Sequence, residues 1–137
     1  MSAHFMTILI NVLIAIEHPN TPAEAQRAWE RERAVGVMQI RPICIKQVNE
    51  TYELRVYATF GRPLVVEDCQ SEAISRWVAV QYLTYCRDTF IEKNGRNPSM
   101  FELARCWNGG PNGYRRQSTI EYQRRFMNAL QTYQKAK

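Results

Sequence analysis

The chain has 137 residues, 45% hydrophobic and 23% charged. That composition fits one globular domain over 1–137 and excludes a disordered, collagen-like or linker-dominated protein. The formal charge is +5, from 18 Lys+Arg against 13 Asp+Glu, and the excess is concentrated: Arg105 to Lys137 holds seven basic residues and a single acid, Glu121. A basic C-terminal segment of this kind suits an anionic polymer, either nucleic acid or a carboxylate-rich cell wall, and equally a solvated helix face.

The first predicted element is a helix over Phe5 to Ile16, with Ile8, Leu9, Val12, Leu13 and Ile16 at helical spacing. The run is too short to span a bilayer, so no transmembrane segment is expected. Residues 1–4 lack the basic character of a secretory leader. Pro19 should end the helix near His18. Glu17 then closes an almost wholly apolar helix at the end where the dipole disfavours a negative charge. Its carboxylate either points into water or is partly buried with a raised pKa.

Thr21-Pro22-Ala23-Glu24 predicts a charged surface helix to about Ala34, with Thr as N-cap, Pro at the first position and Glu at N3. Val35 to Ile40 reads as an extended segment containing Gly36. Ile43 to Tyr52 reads as helix. Leu54 to Val66 contains a β-leaning stretch and a Gly61-Arg62-Pro63 turn. Glu72 to about Lys93 is the longest predicted helix, stopped by Asn94-Gly95. Asn97-Pro98 should cap a helix over 98–107. A glycine-rich turn follows, Asn108-Gly109-Gly110-Pro111-Asn112-Gly113. Ser118-Thr119-Ile120-Glu121 then predicts a capping box opening a last helix to about Gln134.

The cysteines stand at 44, 69, 86 and 106, with no C-x-x-C pair, and the histidines are His4 and His18 alone. No metal and no cofactor are expected from such spacing. Four free thiols in a reducing cytoplasm is the favoured reading, two bridges the alternative.

Ile14-Ala15-Ile16-Glu17, followed by Gly36-Val37-Met38-Gln39-Ile40-Arg41-Pro42, resembles the soluble lytic transglycosylases and goose-type lysozymes. In that group an apolar helix delivers the catalytic Glu and a G-[LV]-M-Q-[IL]-x-P segment packs opposite it. Ala104 to Pro111 resembles the group's A-x-x-[YW]-N-x-G-P block, and Ser118 to Phe126 its Thr-x-x-Tyr helix start. The blocks occur in family order over residues 14–126. The chain departs from the pattern at His18, where Ser is common, at Trp107, often Tyr, and at Ser118, often an acid. The departures fit a smaller branch, with the block W-N-G-G-P-N-G, seen in phage and bacterial proteins.

The resemblance implies a mainly α, lysozyme-like, two-lobed fold with a small extended or β segment, and a peptidoglycan-cleaving enzyme. Glu17 is the implied catalytic acid. Gly36 would let the backbone approach the glycan, Met38 would form an apolar wall, and Gln39 would hydrogen-bond substrate or the attacking hydroxyl. Trp107 would stack on a sugar, Asn108 would hold Glu17 or an N-acetyl group, and Tyr122 would close the cleft. Ordinary core packing is the competing reading for Met38, Trp107 and Tyr122.

A glutamate must have its pKa raised to protonate a leaving oxygen near neutral pH. In lytic transglycosylases one such residue suffices, because the substrate's own C6 hydroxyl attacks and leaves a 1,6-anhydro-muramoyl end. A hydrolase of the usual kind needs a second carboxylate, for which Glu24, Glu30 and Glu32 are the candidates, each equally readable as a solvated helix residue. The favoured reading is a lytic transglycosylase acting on peptidoglycan strands. The alternatives are a hydrolytic muramidase, a nucleic-acid or wall-binding module, and a virion protein of the same fold without activity. No specific nucleic-acid motif is present. Without a secretory leader, a phage endolysin, a virion component packed with other virion proteins, or a domain of a longer exported protein would each reconcile cytoplasmic synthesis with a wall substrate.

Overall fold

The computed structural model describes residues 2–137. It is mainly helical, with 76% helix, seven α-helices and no sheet among the described residues. The helices are α1 (Ala3–Glu17), α2 (Pro22–Glu32), α3 (Pro42–Thr51), α4 (Glu53–Phe60), α5 (Glu72–Asn94), α6 (Met100–Gly109) and α7 (Ile120–Lys135). The chain divides into two compact units, Glu17–Tyr82, and Met1–Ile16 with Leu83–Lys137.

In the Glu17–Tyr82 unit, α2 begins as its sequence dictates. Thr21 is extended, and its hydroxyl accepts from the Glu24 N–H at 3.1 Å. Glu24 in turn accepts from the Asn20 N–H at 2.8 Å, so two otherwise orphaned donors are satisfied. The helix stops at Glu32 because Arg33 turns left-handed (φ 56°) and donates its N–H to the Trp29 carbonyl at 2.8 Å.

The expected extended segment at 35–40 is instead a tight turn closed by one antiparallel bridge. Val35 and Ile40 exchange N–H···O bonds of 2.9 and 3.1 Å, and the Gln39 N–H donates to the Gly36 carbonyl at 3.1 Å. Both Gly36 (φ 80°) and Gln39 (φ 51°) are left-handed. Such backbone bends the chain too sharply for a strand. Leu54–Val66 also departs from its β-leaning reading: most of it is α4, which α3 packs against and which buries Val56. Val56 is the one buried residue of this helix, and Leu54 is exposed. Gly61, left-handed at φ 72°, ends α4 where the turn was expected.

The stretch after α4 is pinned at several points. The Asn49 side chain pairs with both backbone groups of Leu64, at 2.9 and 3.0 Å. Asp68 accepts from Arg62 at 2.8 and 2.9 Å and from the Val65 N–H at 2.9 Å. Arg62 holds the Asp68 carboxyl below the usual carboxylate range. The short 3₁₀ helix Val66–Gln70 follows. Its Cys69 carbonyl accepts from the buried Ser75 hydroxyl at 2.7 Å and lies so close to Gly36 that a Cβ there would overlap it.

In the other unit, α1 buries Met6, Leu9, Ile10, Val12 and Leu13. The second half of α5 contributes Leu83, Cys86 and Phe90 to the core, α6 contributes Leu103, Ala104 and Cys106, and α7 contributes Tyr122 and Phe126. Gly95 (φ 68°) ends α5 as predicted. The cap of α6 is Ser99 rather than Asn97, and it exchanges bonds with Glu102 in a capping box. Glu102 also accepts from Arg96 at 2.8 and 2.9 Å.

The capping box expected at Ser118–Glu121 does not form. The residue before α7 is Thr119, whose side chain caps nothing. Its hydroxyl donates to the Gly113 carbonyl at 2.6 Å and accepts from Arg105 at 2.8 Å, so a long-range contact takes the group that local sequence would use for the helix. The four cysteines are free thiols, and burial pushes the Cys69 thiol up to about 12. Among the described residues no helix is long and apolar enough to cross a membrane, and no cluster of three or more His, Cys, Asp or Glu could hold a metal.

Two stability predictions follow from these contacts. Gly36→Ala needs a positive φ and a Cβ overlapping the Cys69 carbonyl oxygen, so it should cost about 2–4 kcal/mol by urea denaturation; an unchanged midpoint would contradict the account. Glu102 has its carboxyl lowered from 4.5 to about 2, first by the Arg96 hydrogen bonds. A lowered folded-state pKa stabilises fully above the unfolded value and loses that contribution as pH falls. The Arg96–Glu102 pair should therefore contribute fully above about pH 4.5 and fade towards about pH 2. Glu102→Gln should flatten the melting-temperature profile across that window, and an unaltered profile would refute the pairing.

Candidate active site

Glu17 is the last residue of α1 and the only Asp, Glu, Lys or Arg in that fifteen-residue helix. It is half-buried. The next residue, His18, is exposed, and its Nδ1 lies 2.7 Å from the Pro19 carbonyl. His18 begins the wall of a cavity of about 720 Å³ contained within the Glu17–Tyr82 unit. The wall continues through Asn20 and the start of α2 to Trp29, then the 35–39 turn, and finally Glu67 and Gln70 of the 3₁₀ segment. Glu17 itself is not part of that wall.

Among the expected residues, Gly36 and Gln39 line the cavity and Met38 does not. Met38 is fully buried, which places it in the core. Gly36 has its closest neighbour inside the protein: the Cys69 carbonyl explains why no side chain fits there. Gln39 donates its Nε2 to the Gly36 carbonyl at 3.0 Å, so one end of the amide closes the turn. Its Oε1 accepts no hydrogen bond among the described residues, which leaves an acceptor on the wall.

None of Glu24, Glu30 and Glu32 lines the cavity. Glu24 takes part in the α2 cap, Glu30 accepts from Gln26 at 3.0 Å, and Glu32 pairs with Arg31 and Arg41 at 3.5 and 3.8 Å. The carboxylate on the wall is Glu67, which sequence reasoning did not select. Trp29 and Gln70 were missed with it. All three lie outside the motif blocks and carry no spacing signal, so only the folding of α2 and the 3₁₀ turn onto one cavity reveals them.

Trp107, Asn108 and Tyr122 belong to the other unit. Trp107 and Asn108 are half-buried on the last turn of α6, and Tyr122 is buried on the first turn of α7. The Arg125 guanidinium lies 5.8 Å from the centroid of the Tyr122 ring. It also reaches the Ile16 carbonyl, one residue before Glu17, at 3.5 Å, a favourable position for a cation near a helix C-terminus. The turn after α6 is fixed by Gly113, where a Cβ would overlap the Arg105 carbonyl, and by Arg105, which donates to Thr119 and to the Arg116 carbonyl at 2.8 and 2.7 Å. Arg105 therefore serves the fold, while Arg115, Arg116, Arg124 and Arg125 are exposed.

Comparison of the chain with protein-family models, with curated proteins and with solved structures finds no match.

Proposed function

We propose that this protein is a peptidoglycan-cleaving enzyme of lysozyme-like, two-lobed fold, in which the 35–40 turn stands for the small extended segment. It cuts the β-1,4 bond between N-acetylmuramic acid and N-acetylglucosamine as a lytic transglycosylase. The observation that carries the reading is Glu17. A single half-buried acid ends an otherwise uncharged helix, and the residue after it opens a cavity that Gly36 and Gln39 also line. The motif blocks quoted above supply the rest.

In this reading Glu17 first donates a proton to the leaving glycosidic oxygen. It then accepts the proton of the muramoyl C6 hydroxyl as that oxygen attacks the anomeric carbon. Gln39 offers its Oε1 to a substrate hydroxyl or amide. Trp107, Asn108 and Tyr122 are assigned to substrate binding on the resemblance. Glu24, Glu30 and Glu32 stay outside the chemistry, since Glu24 accepts from the Asn20 N–H ahead of α2, Glu30 from Gln26, and Glu32 pairs with Arg41. The protein works on the cell wall, as a phage endolysin or a virion component.

Glu17→Gln should lower wall lysis by about 10²–10⁴-fold with the fold retained. Near-normal clearing of a wall suspension by that variant would sink the assignment. Mass spectrometry of the muropeptides should show 1,6-anhydro ends, one water lighter than hydrolysis products, and Gln at positions 24, 30 or 32 should leave appreciable activity. Ordinary reducing ends would make the enzyme a muramidase. The exposed arginines assist wall attachment, so lysis should weaken as salt screens them. Arg115→Glu with Arg116→Glu should lower wall binding more than turnover of short glycans, and equal binding at low salt would contradict the role.

A further inference from the structure

We infer that Trp29, Glu67 and Gln70 form a saccharide subsite on the cavity wall, where one N-acetyl sugar stacks on the indole and hydrogen-bonds to the carboxylate and amide. This rests on the glycan reading above and deepens it, since none of the three residues lies in the motif blocks.

The indole is held from outside the cavity. Arg33, which is not on the wall, places its guanidinium 5.0 Å from the ring centroid. The left-handed turn at Arg33 and its N–H bond to the Trp29 carbonyl fix that partner. A ring so held offers apolar area with little further ordering cost on binding.

Glu67 is the only Asp, Glu, Lys or Arg on the wall. It is exposed and makes no hydrogen bond or ion pair among the described residues. Its neighbour Asp68 differs: both Asp68 oxygens serve Arg62 and one also serves the Val65 N–H. The turn is therefore stabilised without Glu67. Its backbone is also pinned by Asn49 on Leu64 and by Ser75 on Cys69. A carboxylate on a pinned turn, three residues before an amide with no partner among the described residues, is a preorganised pair for hydroxyl and N–H donors.

The ligand class follows from charge. With no Lys or Arg on the wall and one carboxylate, a phosphate or carboxylate ligand is repelled. A neutral polyhydroxylated ring matches the parts: its C–H face suits the indole, and its hydroxyl and acetamido groups suit Glu67, Gln70, Gln26 and Asn20. The cavity of about 720 Å³ has room for it.

The test uses the full chain carrying Glu17→Gln, so that the ligand is not consumed, with β-1,4-linked N-acetylglucosamine hexasaccharide titrated by calorimetry. Adding Trp29→Ala should raise Kd about tenfold or more, and Trp29→Phe should recover part of the loss. Adding Glu67→Gln should raise Kd about three- to tenfold. Circular dichroism checks that each variant is folded. If the parent binds and folded Trp29→Ala and Glu67→Gln bind equally well, the subsite is overturned while the glycan reading stands. If the parent does not bind and unmutated protein does not lyse walls, the glycan reading falls and the subsite with it. In the active protein, Glu67→Gln that lowers kcat about a hundredfold at unchanged KM would place Glu67 on the reacting atoms and overturn a binding role.

Discussion

The Cys69 carbonyl is the point on which the cavity depends. It receives the Ser75 hydroxyl and sits where a side chain on Gly36 would have to go. That contact brings the 35–39 turn against the 3₁₀ segment, so Gly36 and Gln39 share one wall with Glu67 and Gln70. Close backbone approach is possible only without a Cβ, and the positive φ of Gly36 selects glycine a second time. The residue that the family resemblance would turn towards a sugar is thus also required by the protein's own packing.

A similar constraint governs the other unit. Gly113 meets the Arg105 carbonyl, and the Arg105 side chain donates to Thr119 and to the Arg116 carbonyl. One arginine fastens the glycine-rich turn to the start of α7. The result fixes the two helix ends that bear Trp107, Asn108 and Tyr122. In both units a glycine that admits a carbonyl, together with a buried hydroxyl, sets the backbone from which the candidate residues project. Polar groups inside these turns are satisfied locally, as burial demands.

The charge distribution divides by function in the same way. Arg105, Arg62 and Arg96 are tied to carbonyls or carboxylates and act on the fold. Arg124 is paired with Glu121 on the surface. Arg115 and Arg116 are exposed side chains with no acidic partner among the described residues. The cavity wall, by contrast, bears one carboxylate and no arginine or lysine. The unpaired basic side chains and the nearly neutral cavity thus belong to different compact units of the chain.

Periodicity and caps alone determined most of the helices. α1, α3 and α5 lie within a few residues of their predicted limits, and Thr21-Pro22 and Asn94-Gly95 act as the start and stop they resemble. These signals are local: an apolar face every 3.6 residues, a hydroxyl near free N–H groups, a glycine free to turn left-handed. Elsewhere tertiary structure decided. α4 takes the place of the β-leaning stretch with Val56 buried, the 35–40 segment is a turn with the Cys69 carbonyl against it, and Thr119 gives up its cap to Gly113 and Arg105. The motif residues Gly36 and Gln39 were legible because their spacing is itself a pattern. Glu67, Trp29 and Gln70 were not, because what unites them is a cavity wall assembled from segments nearly forty residues apart, and no sequence period records that distance in space.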